Sequence, residues 1–268
     1  MANPNAVSGA STFKIISTIA RNTFREAVRD RVLYNLVIFV LLITASAIFL
    51  GELTAGHEAR TIVNLGLGAM LVFGAFISIF VGVSLVSKEI ERRTIYAIFS
   101  KPIGRGEFIV GKYLGLCLTL LVNVLVMGIG VSLAILAVGG GSLALTIWGA
   151  IALLYLELAI LTAVAILFSS FSSPALSALL TFFVFIIGNF TQSLKDFALT
   201  IGSSSGKLFF DVLYIILPNL SFYSFRTNAA HGELPSAALL GGAFLYAMVY
   251  IGILLTVTIL IFKRRNFK

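Results

Sequence analysis

The chain has 268 residues, of which 59% are hydrophobic and only 11% are charged. Soluble domains are about 45–50% apolar and about 25% charged, so this composition excludes an ordinary soluble protein and indicates an integral membrane protein. A membrane-spanning helix needs about 20 residues, so the chain has room for several spans but little soluble mass. The single cysteine, Cys117, excludes an intrachain disulfide framework.

The first segment of the chain predicts an amphipathic interfacial helix over residues 10–31. At 100° per residue, its basic and polar side chains fall in one arc, and its apolar side chains lie opposite or adjacent to that arc. This pattern is typical of a helix lying on the cytoplasmic leaflet, although a solvated helical extension stays open as an alternative. The polar arc contains Lys14, Thr18, Arg21, Arg25 and Arg29, and the apolar face contains Phe13, Ile16, Ala20, Phe24 and Ala27.

Long apolar runs predict an all-α integral membrane fold with six transmembrane helices in a single domain covering 1–268. Charged residues bracket the first two runs, while glycines at 139–141 and a serine cluster before Pro174 divide the following ones. The run at 212–225 is shorter and contains Pro218, so it predicts a re-entrant or interfacial element within an external loop at 195–234. The predicted spans are residues 32–51, 61–87, 113–138, 143–168, 175–194 and 235–262.

The distribution of basic residues predicts the orientation in the membrane. Segments 1–31, 88–112 and 263–268 contain 15 of the 19 Lys and Arg residues. Since basic residues stay on the cytoplasmic side, we expect a multi-pass protein of the inner cell membrane with both termini and the 88–112 loop in the cytoplasm. Topology and the anionic lipid bilayer account for the net charge of +8, so no nucleic-acid partner is expected.

The polar segment 88–112 between the second and third spans predicts a short helix parallel to the membrane. Ile98 and Phe99 share an apolar helical face, Pro102 ends the helix, and Glu107 opens the next one. A solvated connector is the alternative, but it would expose many apolar side chains to water. The segment also fits most of a phosphate-binding loop pattern, but it has Tyr113 at the last position and no preceding strand, so no nucleotide site is predicted.

Few residues elsewhere point to a chemical role. His57 and His231 stand in separate loops without a cluster of metal ligands, so we predict no catalytic, cofactor-binding or metal residue. Glu157 is the only acid inside a predicted span and is an intramembrane polar candidate, either functional or hydrogen-bonded between helices. Small residues at four-residue spacing predict close helix approach in a bundle or a dimer. They are Gly74, Ser78, Gly82, Gly111 and Gly115.

The interfacial helix, the two spans and the following loop together resemble the ABC-2 class of ABC transporter permeases. In that family the loop after the second span contains acidic residues, a Thr, a short apolar helix, Ser-x-Pro, an Arg, a Glu and Gly-Lys. The segment 21–34, RNTFREAVRDRVLY, is similar to the branch linked to multicopper-enzyme maturation, such as that of nitrous oxide reductase. The loop positions are matched here by Glu89, Glu91, Thr94, Ser100, Pro102, Arg105, Glu107, Gly111 and Lys112.

The resemblance implies a permease subunit that moves an unidentified substrate, with export the expected direction, driven by ATP hydrolysis on a separate cytoplasmic ABC ATPase. The chain would not be an enzyme and would hold no cofactor, since ATP and Mg²⁺ would bind to the partner ATPase. A second copy of the chain or a paralogue would complete the transporter. The 88–112 loop would be the coupling helix, with Glu89, Glu91, Arg92, Arg93, Thr94, Ile98, Phe99, Ser100, Pro102 and Arg105 at the ATPase.

Two other classes of protein stay open. An ion-coupled secondary transporter would use intramembrane charges, for which Glu157 is the candidate. A non-transporting membrane assembly factor for a metalloenzyme would need no ATPase. The sequence contains no ligand cluster with which to carry copper, so it does not predict direct metal transport.

Overall fold

The computed structural model describes residues 12–28, 38, 39, 42, 43, 45, 46, 58–91, 104–191 and 217–264, with only the backbone at 85, 86 and 88–91. Every regular element in this part of the chain is helical, which confirms the all-α fold class. The elements are α1 (Thr12–Ala27), α2 (Glu58–Glu91), α3 (Arg105–Ala137), α4 (Gly141–Ser169), α5 (Pro174–Asn189), a 3₁₀ turn (Leu220–Tyr223), α6 (Arg226–Ala230) and α7 (Ala237–Arg264).

Among the described residues, α2, α3, α4 and α7 are long and apolar enough to cross a membrane. They coincide with the second, third, fourth and sixth predicted spans. Helix α5 is apolar but has 16 residues, which at 1.5 Å per residue is shorter than the hydrocarbon core. The described residues between 38 and 46 are helical, but most of the predicted first span lies outside the described residues, so the count of six spans stays a prediction.

Two of these helices extend beyond the apolar runs that predicted them. Helix α2 continues to Glu91, although its apolar run ends at residue 87, and α3 begins at Arg105, although its run begins at residue 113. Apolar composition marks the stretch that must lie in hydrocarbon, whereas helical hydrogen bonding can continue into polar surroundings. The predicted 88–112 loop is therefore helical at both of its ends, and residues 92–103 lie outside the described residues.

Helix α4 is the centre of the bundle. Of its apolar stretch, 72% is buried, against 17% of that of α7. Glycines let α2 approach α4 closely, because a Cβ at Gly74 would lie 2.3 Å from Leu158 Cδ1 and one at Gly82 would lie 3.1 Å from Ala165 Cβ. These contacts lie within one chain and confirm the predicted close approach of helices inside a bundle.

The described part of the predicted external loop folds back against the bundle. Leu220 packs on Gly188 of α5, where an added Cβ would lie 2.8 Å from Leu220 Cγ, and Pro235 packs on Gly149 of α4. The Tyr223 hydroxyl donates a hydrogen bond to the carbonyl of Ala243 at 2.9 Å. Residues 217–235 therefore pack against α4, α5 and α7. The predicted re-entrant element at 212–225 lies partly outside the described residues.

Candidate functional site

The first candidate region is the end of the bundle where α3 begins and α7 ends, which we call the Arg105 end. The Gly104 N–H donates to Glu107 Oε2 at 2.9 Å. Since glycine has no side chain, only this half of a capping box is present. Glu107 also lies in the first turn, where the helix dipole favours a negative charge, so its predicted position at the start of the helix is confirmed.

Arg105 connects the start of α3 to the end of α7. Its Nη1 donates to the carbonyl oxygens of Phe262 at 2.8 Å and of Lys263 at 2.9 Å. Beside these bonds, the Phe108 and Phe262 rings stack with centroids 6.1 Å apart. The guanidinium therefore donates to two consecutive carbonyls in the last described turn of α7, where a cation interacts favourably with the helix dipole.

Helix α1 packs on the glycines of α3, next to the Arg105 end. A Cβ at Gly111 would lie 2.7 Å from Ile19 Cβ, and one at Gly115 would lie 2.6 Å from both Ala20 O and Thr23 Cβ. Atoms this close leave no room for a methyl group, so both positions require glycine for this approach. Helix α1 therefore packs against Gly111 and Gly115, two of the predicted small residues. The sequence analysis did not predict that α1 contacts α3.

The amphipathic pattern of α1 is visible in its burial. Arg21 and Arg25 are exposed, whereas Ala27 is buried against α3. Phe13, predicted on the apolar face, lies in the first turn of α1 and is 80% exposed within the described part of the chain. Whether α1 lies on a lipid surface stays a prediction.

An ion pair strengthens the contact between α1 and α3. Lys112 Nζ lies 3.6 Å from Glu26 Oε2, and the Lys112 side chain is 5% exposed while that of Glu26 is 44% exposed. The ammonium also lies 5.8 Å from the centroid of the Phe108 ring. The lysine of the Gly-Lys pair in the loop motif therefore faces the N-terminal helix.

Most of the predicted ATPase-contacting residues lie outside the described part of the chain. Glu89 and Glu91 are helical in α2, with side chains that are not described, and Arg105 is described in full. Arg92, Arg93, Thr94, Ile98, Phe99, Ser100 and Pro102 lie outside the described residues.

The second candidate region surrounds Glu157, which is 2% exposed at the centre of α4. Asn189, the last residue of α5, donates from Nδ2 to Glu157 Oε1 at 2.9 Å. The same Nδ2 lies 3.1 Å from the carbonyl of Phe185. The sequence left Glu157 open as either a functional carboxylate or a residue hydrogen-bonded between helices. The structure contains the hydrogen bond between helices.

A small cavity lies beside this pair. It is lined by Glu157 of α4, Tyr223 of the 3₁₀ turn and Arg226 of α6, together with apolar side chains. Its volume of about 10 Å³ is room for about one water molecule. Arg226 also reaches α2, because its Nη1 would lie 3.3 Å from a Cβ at Gly68. The polar groups around Glu157 therefore join five elements, α2, α4, α5, the 3₁₀ turn and α6, and among the described residues their cavity has room for about one water molecule.

Sequence reasoning identified Glu157 but missed its surroundings. Asn189 is the first residue of an N-x-T glycosylation pattern, and Arg226 is one of the four basic residues outside the predicted cytoplasmic segments, so neither pointed to Glu157. A signal was present, because a carboxylate inside a span needs a hydrogen-bonding or cationic partner. Choosing among the polar residues that could supply it required the fold.

Two further findings concern the described residues alone. They contain no group of three or more His, Cys, Asp and Glu side chains that could hold a metal ion. The Gly106–Tyr113 stretch that fits most of a phosphate-loop pattern lies inside helix α3, where a phosphate-binding loop cannot form.

The long apolar helices, packed through glycines around a buried polar cluster, define a multi-pass membrane protein. Residues 17–267 match the family model described as "ABC-2 family transporter protein". The chain therefore belongs to the ABC-2 family of transporter proteins, which are the membrane subunits of ABC transporters.

A curated relative agrees with this family. The chain is 27% identical over 127 residues to "Probable ABC transporter permease protein NosY" of Pseudomonas aeruginosa. The match covers 46% of this chain and 46% of the relative, so it spans about half the length of that protein. The similarity confirms the resemblance to the branch of the family that the sequence indicated.

Proposed function

We propose that the chain is the transmembrane permease subunit of an ABC transporter that exports an unidentified substrate across the cytoplasmic membrane. ATP hydrolysis takes place on a separate ATPase subunit, which binds ATP and Mg²⁺, and the permease itself hydrolyses nothing. The observation that carries this proposal is the match of residues 17–267 to the ABC-2 transporter family. The four long apolar helices support membrane embedding.

The Arg105 end is the cytoplasmic end in this proposal. The basic residues of segments 1–31, 88–112 and 263–268 support this orientation, since positive charge stays in the cytoplasm. Helices α2 and α3 both lead into the 92–103 segment at this end. A short helix there would receive the movement of the ATPase and pass it to both spans.

The transporter is a dimer of this chain, or a pair with a paralogue, together with two ATPase subunits. A two-fold pair is the commonest symmetric assembly, and it would enclose a path that one chain leaves open. The small cavity beside Glu157 supports this arrangement, because the described part of a single chain offers that site room for one water molecule rather than for a solute.

The test is co-purification of the chain with ABC ATPases from its own organism, followed by reconstitution with the ATPase that binds. We expect the ATPase to co-purify with the chain and to hydrolyse ATP faster when bound. Changing Ile98 and Phe99 together to Asp places charge on the predicted docking face, where central residues commonly contribute about 2 kcal/mol or more, roughly thirtyfold in affinity. The variant should insert normally but lose the ATPase.

The matched control is Leu234→Asp, an apolar-to-acid change at a 65% exposed position on the opposite side of the bundle. It should leave ATPase binding unchanged. Failure of the wild-type chain to bind any ATPase would refute the permease assignment and favour the assembly factor or the ion-coupled transporter. Loss of activity in Glu157→Gln with ATPase binding intact would favour a transport role for that carboxylate.

A further inference from the structure

The first turn of α3 and the last turn of α7 contact each other at the Arg105 end, and we call this contact the α3–α7 joint. Arg105 lies within the predicted 88–112 coupling loop, and its Nη1 donates to the carbonyls of Phe262 and Lys263 at 2.8 and 2.9 Å. These carbonyls belong to the final turn of α7 as described, where the helix dipole is negative. A guanidinium is well suited to this place, because it is always charged and presents several donors in a fixed plane.

Packing extends the joint beyond these two bonds. The Phe108 ring stacks on Phe262, which is fully buried. A Cβ at Gly106 would lie 3.7 Å from Ile259 Cδ1, at ordinary contact distance. The first turn of α3 therefore contacts the last turn of α7 through hydrogen bonds and stacked rings, and Gly106 faces Ile259 one turn earlier.

We propose that Arg105 is a positioning residue that makes the beginning of α3 and the end of α7 move as one body. A displacement of the coupling loop then reaches the last span directly, without passing through α4. The family resemblance assigns Arg105 to the ATPase surface, but the structure directs its Nη1 into the membrane subunit. The role in transmission rests on the proposed function, whereas the joint itself does not.

The first experiment separates positioning from docking. The chain and its ATPase are co-purified in nanodiscs as wild type, Arg105→Gln, Arg105→Lys and Arg264→Gln. Arg105→Gln should keep its ATPase but lose about tenfold in stimulated hydrolysis, as expected for the loss of hydrogen bonds from a charged donor. Arg105→Lys should recover part of this loss, because it restores the charge but not the planar fork.

Arg264→Gln is the matched control, since it removes the same charge from an exposed side chain at the same helix end. It should behave as wild type. If Arg105→Gln releases the ATPase while Arg264→Gln does not, Arg105 is a docking residue and the proposal is wrong. Full stimulation in Arg105→Gln would equally overturn it.

The second experiment tests the joint without relying on the ATPase. Gly106→Cys and Ile259→Cys are combined with Cys117→Ala and treated with a short thiol cross-linker. Cross-linking should be fast in the chain alone, several-fold slower when Arg105→Gln is added, and unchanged when Arg264→Gln is added. Equal rates in all three would show that Arg105 does not hold the joint, even if no ATPase binds.

With the ATPase present, the cross-linking rate should be the same with and without a non-hydrolysable ATP analogue. The cross-linked complex should hydrolyse ATP as fast as the same double-cysteine complex before cross-linking. A nucleotide-dependent rate, or inhibition by the cross-link, would mean that α3 and α7 separate during the cycle and would refute the proposal. Failure of the wild type to bind the ATPase would refute the proposed function alone.

Discussion

At the scale of single residues, the hydrogen bond between Glu157 and Asn189 is the contact whose loss should cost the most free energy of folding. The carboxylate is buried at the centre of α4, and the Asn189 amide donates to it across to α5 at 2.9 Å. A buried acceptor that loses its donor costs more free energy than the bond contributes, because the acceptor does not regain water. Removing the donor should therefore be worse than neutralising the acid.

We predict that Asn189→Ala lowers the free energy of unfolding by about 1–2 kcal/mol, the upper part of the range for hydrogen bonds in membranes. Glu157→Gln keeps an amide oxygen as acceptor and should cost less. The double variant should lose less than the two single variants together, since they share one interaction. Thermal unfolding in detergent, followed by loss of the monodisperse peak, measures all three.

The control is Asn228→Ala, which breaks the Asn228 Nδ2 to Glu233 Oε2 bond at an exposed position. Water replaces the lost donor there, so stability should hardly change. Equal destabilisation by Asn189→Ala and Asn228→Ala would contradict a special role for the buried pair.

At the scale of elements, the contact between α1 and α3 depends on two glycines. At Gly115 a methyl group would meet the backbone oxygen of Ala20 at 2.6 Å, so no side-chain rotation can relieve the clash. Helix propensity favours alanine over glycine by about 1 kcal/mol, but overpacking costs about 1–3 kcal/mol. We expect the steric cost of the methyl group to exceed the gain in helix propensity, because the whole of α1 must shift to accommodate that group.

We predict that Gly115→Ala detaches α1, raises its rate of proteolysis and lowers stimulated ATP hydrolysis. Gly252→Ala in α7 is the matched control, because among the described residues no atom beyond its chain neighbours and its own helix backbone lies within 4 Å of an added Cβ there. That variant should be neutral or slightly stabilised. Protease resistance of residues 12–27 in Gly115→Ala, equal to that of wild type, would show that α1 is held by other contacts such as Lys112–Glu26.

At the scale of the whole molecule, the charge distribution predicts the topology. In a Cys117→Ala background, single cysteines at Pro102 and Lys268 should react with an impermeant thiol reagent only after the cells are opened. Cysteines at His57 and Lys207 should react in intact cells, because the segments carrying few basic residues lie outside. Labelling of a cysteine at residue 102 from outside would end the coupling-helix assignment.

The assembly is predicted to contain two copies of the chain, or one copy and a paralogue. Native mass measurement from nanodiscs should find two permease chains with two ATPases, and the ratio should persist on dilution. A complex with one permease chain and a bound, active ATPase would contradict the two-fold arrangement.

The sequence by itself determined the membrane class, the all-α fold and the family. Each of these follows from properties of neighbouring residues: an apolar run long enough to span, a glycine or serine break, and a loop motif between two spans. The ends of α2 and α3 were less accurate, because hydropathy marks the hydrocarbon boundary rather than the last helical hydrogen bond. The predicted ATPase-coupling residues, Arg105 included, stay predictions.

Only the tertiary structure decided which polar groups meet. Arg105 bonds to Phe262, 157 positions away, and Asn189 bonds to Glu157, 32 positions away. The glycines of α3 could have served a bundle or a dimer, and the fold assigns them to α1. Local patterns show that a side chain needs a partner, but the partner is set by helix packing, which brings together residues that no sequence spacing relates.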